Sequence, residues 1–166
     1  MITACAYDAP VNPLRPVAIR IGASRTMPKL LPAIVWLDLR FQRLTRGRFG
    51  LPDLGGLPNL LLTVPGRKSG LPRSIPLLCV PHEGRFLVAG SNGGQASEPM
   101  WVRNLEAALA GELRFKGRTR RFTARPLTGD ERAAAWRVMN RTWPNYAKYE
   151  PRTRRTIKVF ELTPVD

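Results

Sequence analysis

Six short apolar runs, punctuated by proline and glycine, govern what this chain can fold into. Leu60–Val64 lies between Pro58 and Pro65, and Ser74–Val80 and Arg85–Ala89 flank Pro81-His82-Glu83-Gly84, whose glycine suits a hairpin turn. Glu112–Phe115 and Arg118–Ala124 meet at Lys116-Gly117, and Ile157–Leu162 is the last run. Many short strands joined by hairpins, with few helices among them, predict a barrel and not a parallel sheet. One helix is expected over Pro99–Leu109, with proline in its first turn. Another is expected over Asp130–Arg141, with Thr128 and Glu131 forming a capping box.

Residues 1–27 are proline-rich and without sustained periodicity, so they read as a loose extension, and Met27 is an alternative start. From Lys29 to Arg48 the pattern turns helical. Leu30, Ile34, Leu37, Phe41 and Leu44 share one stripe, and Arg40, Arg43 and Arg46 lie opposite. Two readings of this basic amphipathic helix stand side by side. It packs on the core with a solvated arginine face, or residues 29–48 meet an anionic membrane, with Trp36 and the leucines at the headgroup boundary. Gly47 to Asn59 is expected to be a linker. The division is therefore 1–27 extension, 28–59 helix and linker, and 60–166 barrel domain.

The chain carries 27 Lys and Arg against 12 Asp and Glu, a formal net charge of +15, so its partners are anionic. No nucleic-acid-binding module is recognisable, so nucleic acid is not expected. Cys5 and Cys79 lie far apart and His82 is the sole histidine, which argues against a disulfide framework, a Ser-His-Asp triad or a metal centre. No signal-like start and no run of roughly 18 apolar residues is found, so a cytoplasmic protein is expected.

Three polar or aromatic constellations remain. Gly66-Arg67-Lys68-Ser69-Gly70-Leu71-Pro72-Arg73 connects two strands and concentrates cations, a hydroxyl and flexible glycines. It suits a phosphate, whose oxygens need converging donors, although the same composition describes a solvated basic turn. Ser91-Asn92-Gly93-Gly94 precedes a helix carrying Trp101 and Asn104 on one face. In Trp143-Pro144-Asn145-Tyr146-Ala147-Lys148-Tyr149 aromatics recur every third residue, giving either a core wall or a cover for a flat substrate.

In this order, these segments resemble the deazaflavin (coenzyme F420)-dependent nitroreductases and their quinone-reducing relatives. The carriers are Gly66–Gly70, Pro72-Arg73 with Pro76-Leu77, Ser91 with Gly93-Gly94, Pro99-Met100-Trp101 with Asn104-Leu105, and Pro144-Asn145-Tyr146 with Thr156-Ile157. The resemblance implies a mainly β, α+β fold with flanking helices: a split β-barrel of about six antiparallel strands, similar to FMN-binding barrels. It implies an oxidoreductase that passes hydride from reduced F420 to a quinone-like or nitro-aromatic acceptor, menaquinone-like among them; together with the basic helix over residues 29–48, it gives the expectation of a place on the inner face of the membrane. Gly66, Arg67, Lys68, Ser69, Gly70 and Arg73 would hold the acidic tail. Ser91, Trp101 and Asn104 would line the ring, Pro76, Leu78, Ala89, Asn92 and Gly93 would complete the coenzyme site, and Tyr146 and Tyr149 would face the substrate. An FMN-dependent oxidoreductase and a non-catalytic cofactor- or lipid-binding barrel are the alternatives. Asn92 stands where relatives often carry lysine, Leu78 where the best-known nitroreductase has tyrosine, and Trp143 where that family has a further phenol.

Overall fold

The computed structural model describes residues 12–165. Cys5 and the start at Met1 lie outside them. All six apolar runs lie wholly or largely within strands: β1 (Asn59–Pro65), β2 (Pro72–His82), β3 (Arg85–Ala89), β4 (Ala110–Phe115), β5 (Arg118–Leu127) and β6 (Val159–Val165). They close into a barrel in the order β1-β2-β3-β6-β5-β4, every neighbouring pair antiparallel. Most strands outrun their apolar cores because backbone pairing continues into the polar ends. Leu60 faces Leu77, Leu62 faces Ile75 and Pro65 faces Pro72, so β1 and β2 stay in register up to the mouth of the Gly66–Leu71 loop.

Alternation along the strands feeds two cores. Leu60, Leu62, Val64, Cys79, Val88, Leu113, Phe122, Phe160 and Leu162 point into the barrel. That interior is plugged by Trp101, Val102 and Leu105 of a helix, α3 (Met100–Ala108). The opposite faces of β2, β3 and β6 offer Val80, Leu87 and Val159 to a second cluster. It is completed by Trp136 and Met139 of α4 (Gly129–Thr142), by Trp143, and by Tyr146 and Tyr149 of α5 (Asn145–Tyr149). Thr128 does precede α4, but its side chain makes no cap; Glu131 turns instead to Arg125, 2.6 Å away. A guanidinium already fixed beside Glu161 outbids a solvent-exposed backbone N–H for that carboxylate.

The N-terminal expectations change most. Within the segment read as a loose extension, Arg15–Ala23 forms a helix, α1, and the helix expected from Lys29 is Met27–Leu44, α2. Tertiary contacts make α1 helical: its carbonyls at Ile19, Gly22 and Ala23, toward the C-terminal end, accept from Asn145, Tyr149 and Arg152. On α2 the expected inward stripe is rotated. Leu30, Leu37 and Leu44 are 52%, 50% and 83% exposed, while Leu31, Ile34, Val35, Asp38 and Gln42 face the body. The rotation follows from Asp38, whose Oδ1 accepts from Leu51 N–H at 2.6 Å and whose Oδ2 accepts from Gln42 at 3.2 Å. The expected linker thus holds an ordered turn, Leu51–Gly55, in which Asp53 accepts from Gly50 N–H and Asn59 Nδ2, both at 2.7 Å.

Candidate functional site

Two cavities meet at Ile75 and Trp101. The first, about 400 Å³, is lined by Gly66, Arg67, Lys68, Ser69, Arg73, Ser74, Met100 and Asn104. Its loop is built by short bonds: Gly66 N–H donates to Leu71 O at 2.8 Å, and Gly70 N–H to Gly66 O at 2.7 Å. Gly70 closes the turn at φ 66°, where a side chain would be strained, and does not itself line the cavity. Buried Asn104 reaches across from α3 and accepts the Arg67 backbone N–H at 3.2 Å, so the barrel plug fixes the cationic loop. No carboxylate among the described residues pairs with Arg67, Lys68 or Arg73. Cations held together without internal acids suit a multiply charged anion.

The second cavity, about 250 Å³, is mostly apolar. Pro76, Leu77 and Leu78 supply one wall, Ala89 with Ser91, Asn92 and Gly93 another, and Trp143, Tyr146 and Tyr149 a third. Met27, Leu31, Ile34, Val35 and Asp38 of α2 cover it. Asn92, Gly93 and Gly94 adopt φ of 48°, 63° and 82° in succession, a left-handed run that lets the backbone itself form the wall. Burial pushes the phenols of Tyr146 and Tyr149 above their ordinary range, so both stay protonated donors at neutral pH. Their hydroxyls differ in employment. Tyr149 donates to Gly22 O at 2.8 Å, whereas the Tyr146 ring packs at a tilt of 35° against Trp136, with ring centroids 5.2 Å apart. Burial also raises the Asp38 carboxyl, against the hydrogen bonds from Leu51 and Gln42 that lower it.

The two cavities therefore bring together every residue expected at the site except Gly70. Ile75 and the α2 cover were not expected there, the cover because the strongest periodic stripe of α2 runs through leucines that face solvent. Asp38 is the one acid on that cover, a lone charge between Leu37 and Leu39 whose place among apolar neighbours is the signal in the sequence that could have pointed to it.

Over residues 36–164 the chain matches the family described as F420H(2)-dependent quinone reductase. It is 32% identical over 108 residues to Rv3178 of Mycobacterium tuberculosis, whose name assigns it provisionally as an F420H(2)-dependent quinone reductase; the alignment covers 65% of this chain and 91% of that protein. Among solved structures it resembles an F420-H2 dependent reductase, FDR-A, at 34% identity and a TM-score of 0.59, covering 63% of this chain and 93% of the other. A second, described as a domain-swapped dimer, gives 30% identity and a TM-score of 0.61, with 76% and 96% covered.

Proposed function

The chain belongs to the F420H(2)-dependent quinone reductase family, and on that premise we propose that it holds coenzyme F420 across both cavities and reduces a lipophilic quinone. One observation carries the reading: a cation-lined cavity without internal acids shares Ile75 and Trp101 with a mostly apolar one. An acidic tail fits the first and a flat ring with its acceptor fits the second. The bound coenzyme supplies the hydride, so the protein needs no nucleophile and no metal.

The remaining work falls to the chain itself. Arg67, Lys68 and Arg73 bind the tail, and Asn104 keeps their loop in place through the Arg67 N–H. Trp101, Pro76, Leu78, Ser91 and Gly93, which line the apolar cavity, would hold the ring. The α2 cover excludes water, which strengthens each polar contact inside. Tyr146 offers a protonated hydroxyl to the oxygen that gains charge as the acceptor is reduced. The exposed face of α1 and α2, with Val17, Ile21, Leu30, Trp36 and Leu37 among Lys29, Arg40 and Arg43, rests on an anionic membrane from which a lipophilic acceptor is drawn. No described helix is long and apolar enough to cross a membrane.

Titration with oxidised and reduced F420, with FMN as competitor, tests the reading. Micromolar binding that FMN does not displace, followed by oxidation of the reduced form by a menaquinone analogue, is the expected result. Failure to bind either form sinks it, and displacement by FMN reassigns the ring site.

A further inference from the structure

Arg155 lies between α5 and β6, in neither cavity lining, and its guanidinium sits behind the loop that forms a wall of the apolar cavity. Nη2 donates to the carbonyls of Gly90 at 2.8 Å and Ser91 at 3.1 Å, and Nε donates to Gln95 O at 3.3 Å. One fork thus grips both ends of the segment containing the three left-handed residues Asn92, Gly93 and Gly94. Lysine could not span these three acceptors with a fixed plane.

The arrangement is expensive for a purely structural staple. Nη1 is buried with no hydrogen-bond partner among the described residues. Burial also lowers the pKa of the group, with only Glu98 acting the other way. That acid is already engaged by Lys158 at 3.1 Å and Arg103 at 3.5 Å. The charge of Arg155 is therefore not cancelled by a carboxylate of its own. A cation bonded to the Gly90 and Ser91 carbonyls polarises those two peptide units, whose N–H groups belong to Ser91 and Asn92 on the cavity wall.

We infer that Arg155 is a positioning residue: it holds the Gly90–Gln95 loop in its ligand-ready shape and biases the wall toward an electron-rich or anionic ring. The choice of ring rests on the coenzyme reading above; the ordering of the loop does not. The guanidinium touches no reacting atom and acts through Ser91, Asn92 and Gly93.

The test uses the full chain with Arg155→Lys, which keeps the charge, and Arg155→Gln, which removes it. In ligand-free protein, amide hydrogen exchange across residues 90–97 is expected to accelerate at least about tenfold in both variants, with the β4–β5 hairpin unchanged. The Kd for oxidised F420 should rise about tenfold in Arg155→Lys and further in Arg155→Gln, while the KM for the acceptor stays put. Unchanged exchange in the loop overturns the proposal, as does a loosened loop with unaltered coenzyme affinity. Should the unsubstituted chain itself fail to bind F420, the coenzyme reading falls and takes the assigned ring with it. Binding indifferent to Arg155 overturns the present proposal alone.

Discussion

The hydroxyl of Tyr149 donates to the carbonyl oxygen of Gly22 at 2.8 Å, so a ring lining the apolar cavity spends its polar end on holding α1. Tyr146, one helical turn earlier, has no comparable attachment among the described hydrogen bonds and edges against Tyr149 with centroids 6.3 Å apart. Two phenols that look equivalent in sequence thus have different employment. Tyr149→Phe leaves the buried Gly22 carbonyl unpaired and is expected to cost about 1–3 kcal/mol, with acceptor turnover within about twofold of the unsubstituted chain. Tyr146→Phe should barely change the urea midpoint and should lower turnover by about tenfold or more. Reversal of the two effects in paired denaturation and steady-state measurements would reassign the phenols.

The cationic loop makes a second, separable prediction. Arg67→Ala and Lys68→Ala should each weaken F420 binding about tenfold and flatten its dependence on salt, because each removes one cation from the first cavity. Asn104→Ala should weaken it too, although it removes no charge, since it releases the Arg67 N–H from its 3.2 Å bond. Its salt dependence should remain that of the unsubstituted chain. A salt slope that changes equally in all three variants would argue against the division of labour between binding and positioning.

The barrel was legible because its information is local. Each apolar run is bounded by turn residues, and period-two alternation along β1, β2 and β6 explains both cores. The cationic loop was legible for the same reason: Gly66 to Arg73 carries its chemistry in eight consecutive residues. What the sequence hid depends on partners far along the chain. The helicity of α1 rests on Asn145, Tyr149 and Arg152, more than a hundred residues away. The inward face of α2 is decided by Asp38 finding Leu51 N–H, and a hydrophobic stripe drawn through Leu30, Leu37 and Leu44 has no access to that bond. Arg155 stands in a basic run with Arg152 and Arg154, and only the fold puts three carbonyls within its reach.

Asp38 supplies a pH-dependent prediction. Burial raises its pKa above the ordinary 3.8, with the hydrogen bonds from Leu51 and Gln42 opposing and the charge of Asp53 adding to the rise. A raised native pKa means that the folded state binds the proton more tightly than the unfolded chain. The stability this contributes is full below the unfolded value and is lost as pH rises through the native one. Asp38→Asn cannot titrate and still accepts from Leu51 N–H. Its stability relative to the unsubstituted chain should therefore grow between about pH 4 and about pH 8, as read from urea midpoints at both ends. A difference that stays constant or shrinks would show that Asp38 ionises without penalty.

The outward face of α2 gives the test of where the protein works. Trp36 lies under the Arg40 guanidinium at 4.6 Å, so the exposed apolar residues and the basic ones form a single mixed surface and not opposed stripes. Water gains nothing from such a surface, whereas an anionic bilayer offers hydrocarbon to the indole and leucines and phosphates to the arginines, about 1 kcal/mol for each cation near the surface. Truncating the N-terminal helices would be a poor test, because Leu31, Ile34 and Val35 on the inner face cover the cavity. Trp36→Gln combined with Leu37→Gln changes only the outer face. Binding to vesicles containing phosphatidylglycerol should fall about tenfold or more, in line with the loss of two partly inserted apolar side chains. Binding to neutral vesicles should be weak before and after, and F420 affinity should not move. If the double variant binds anionic vesicles as the unsubstituted chain does, the face is merely solvated and the acceptor must reach the cavity from water.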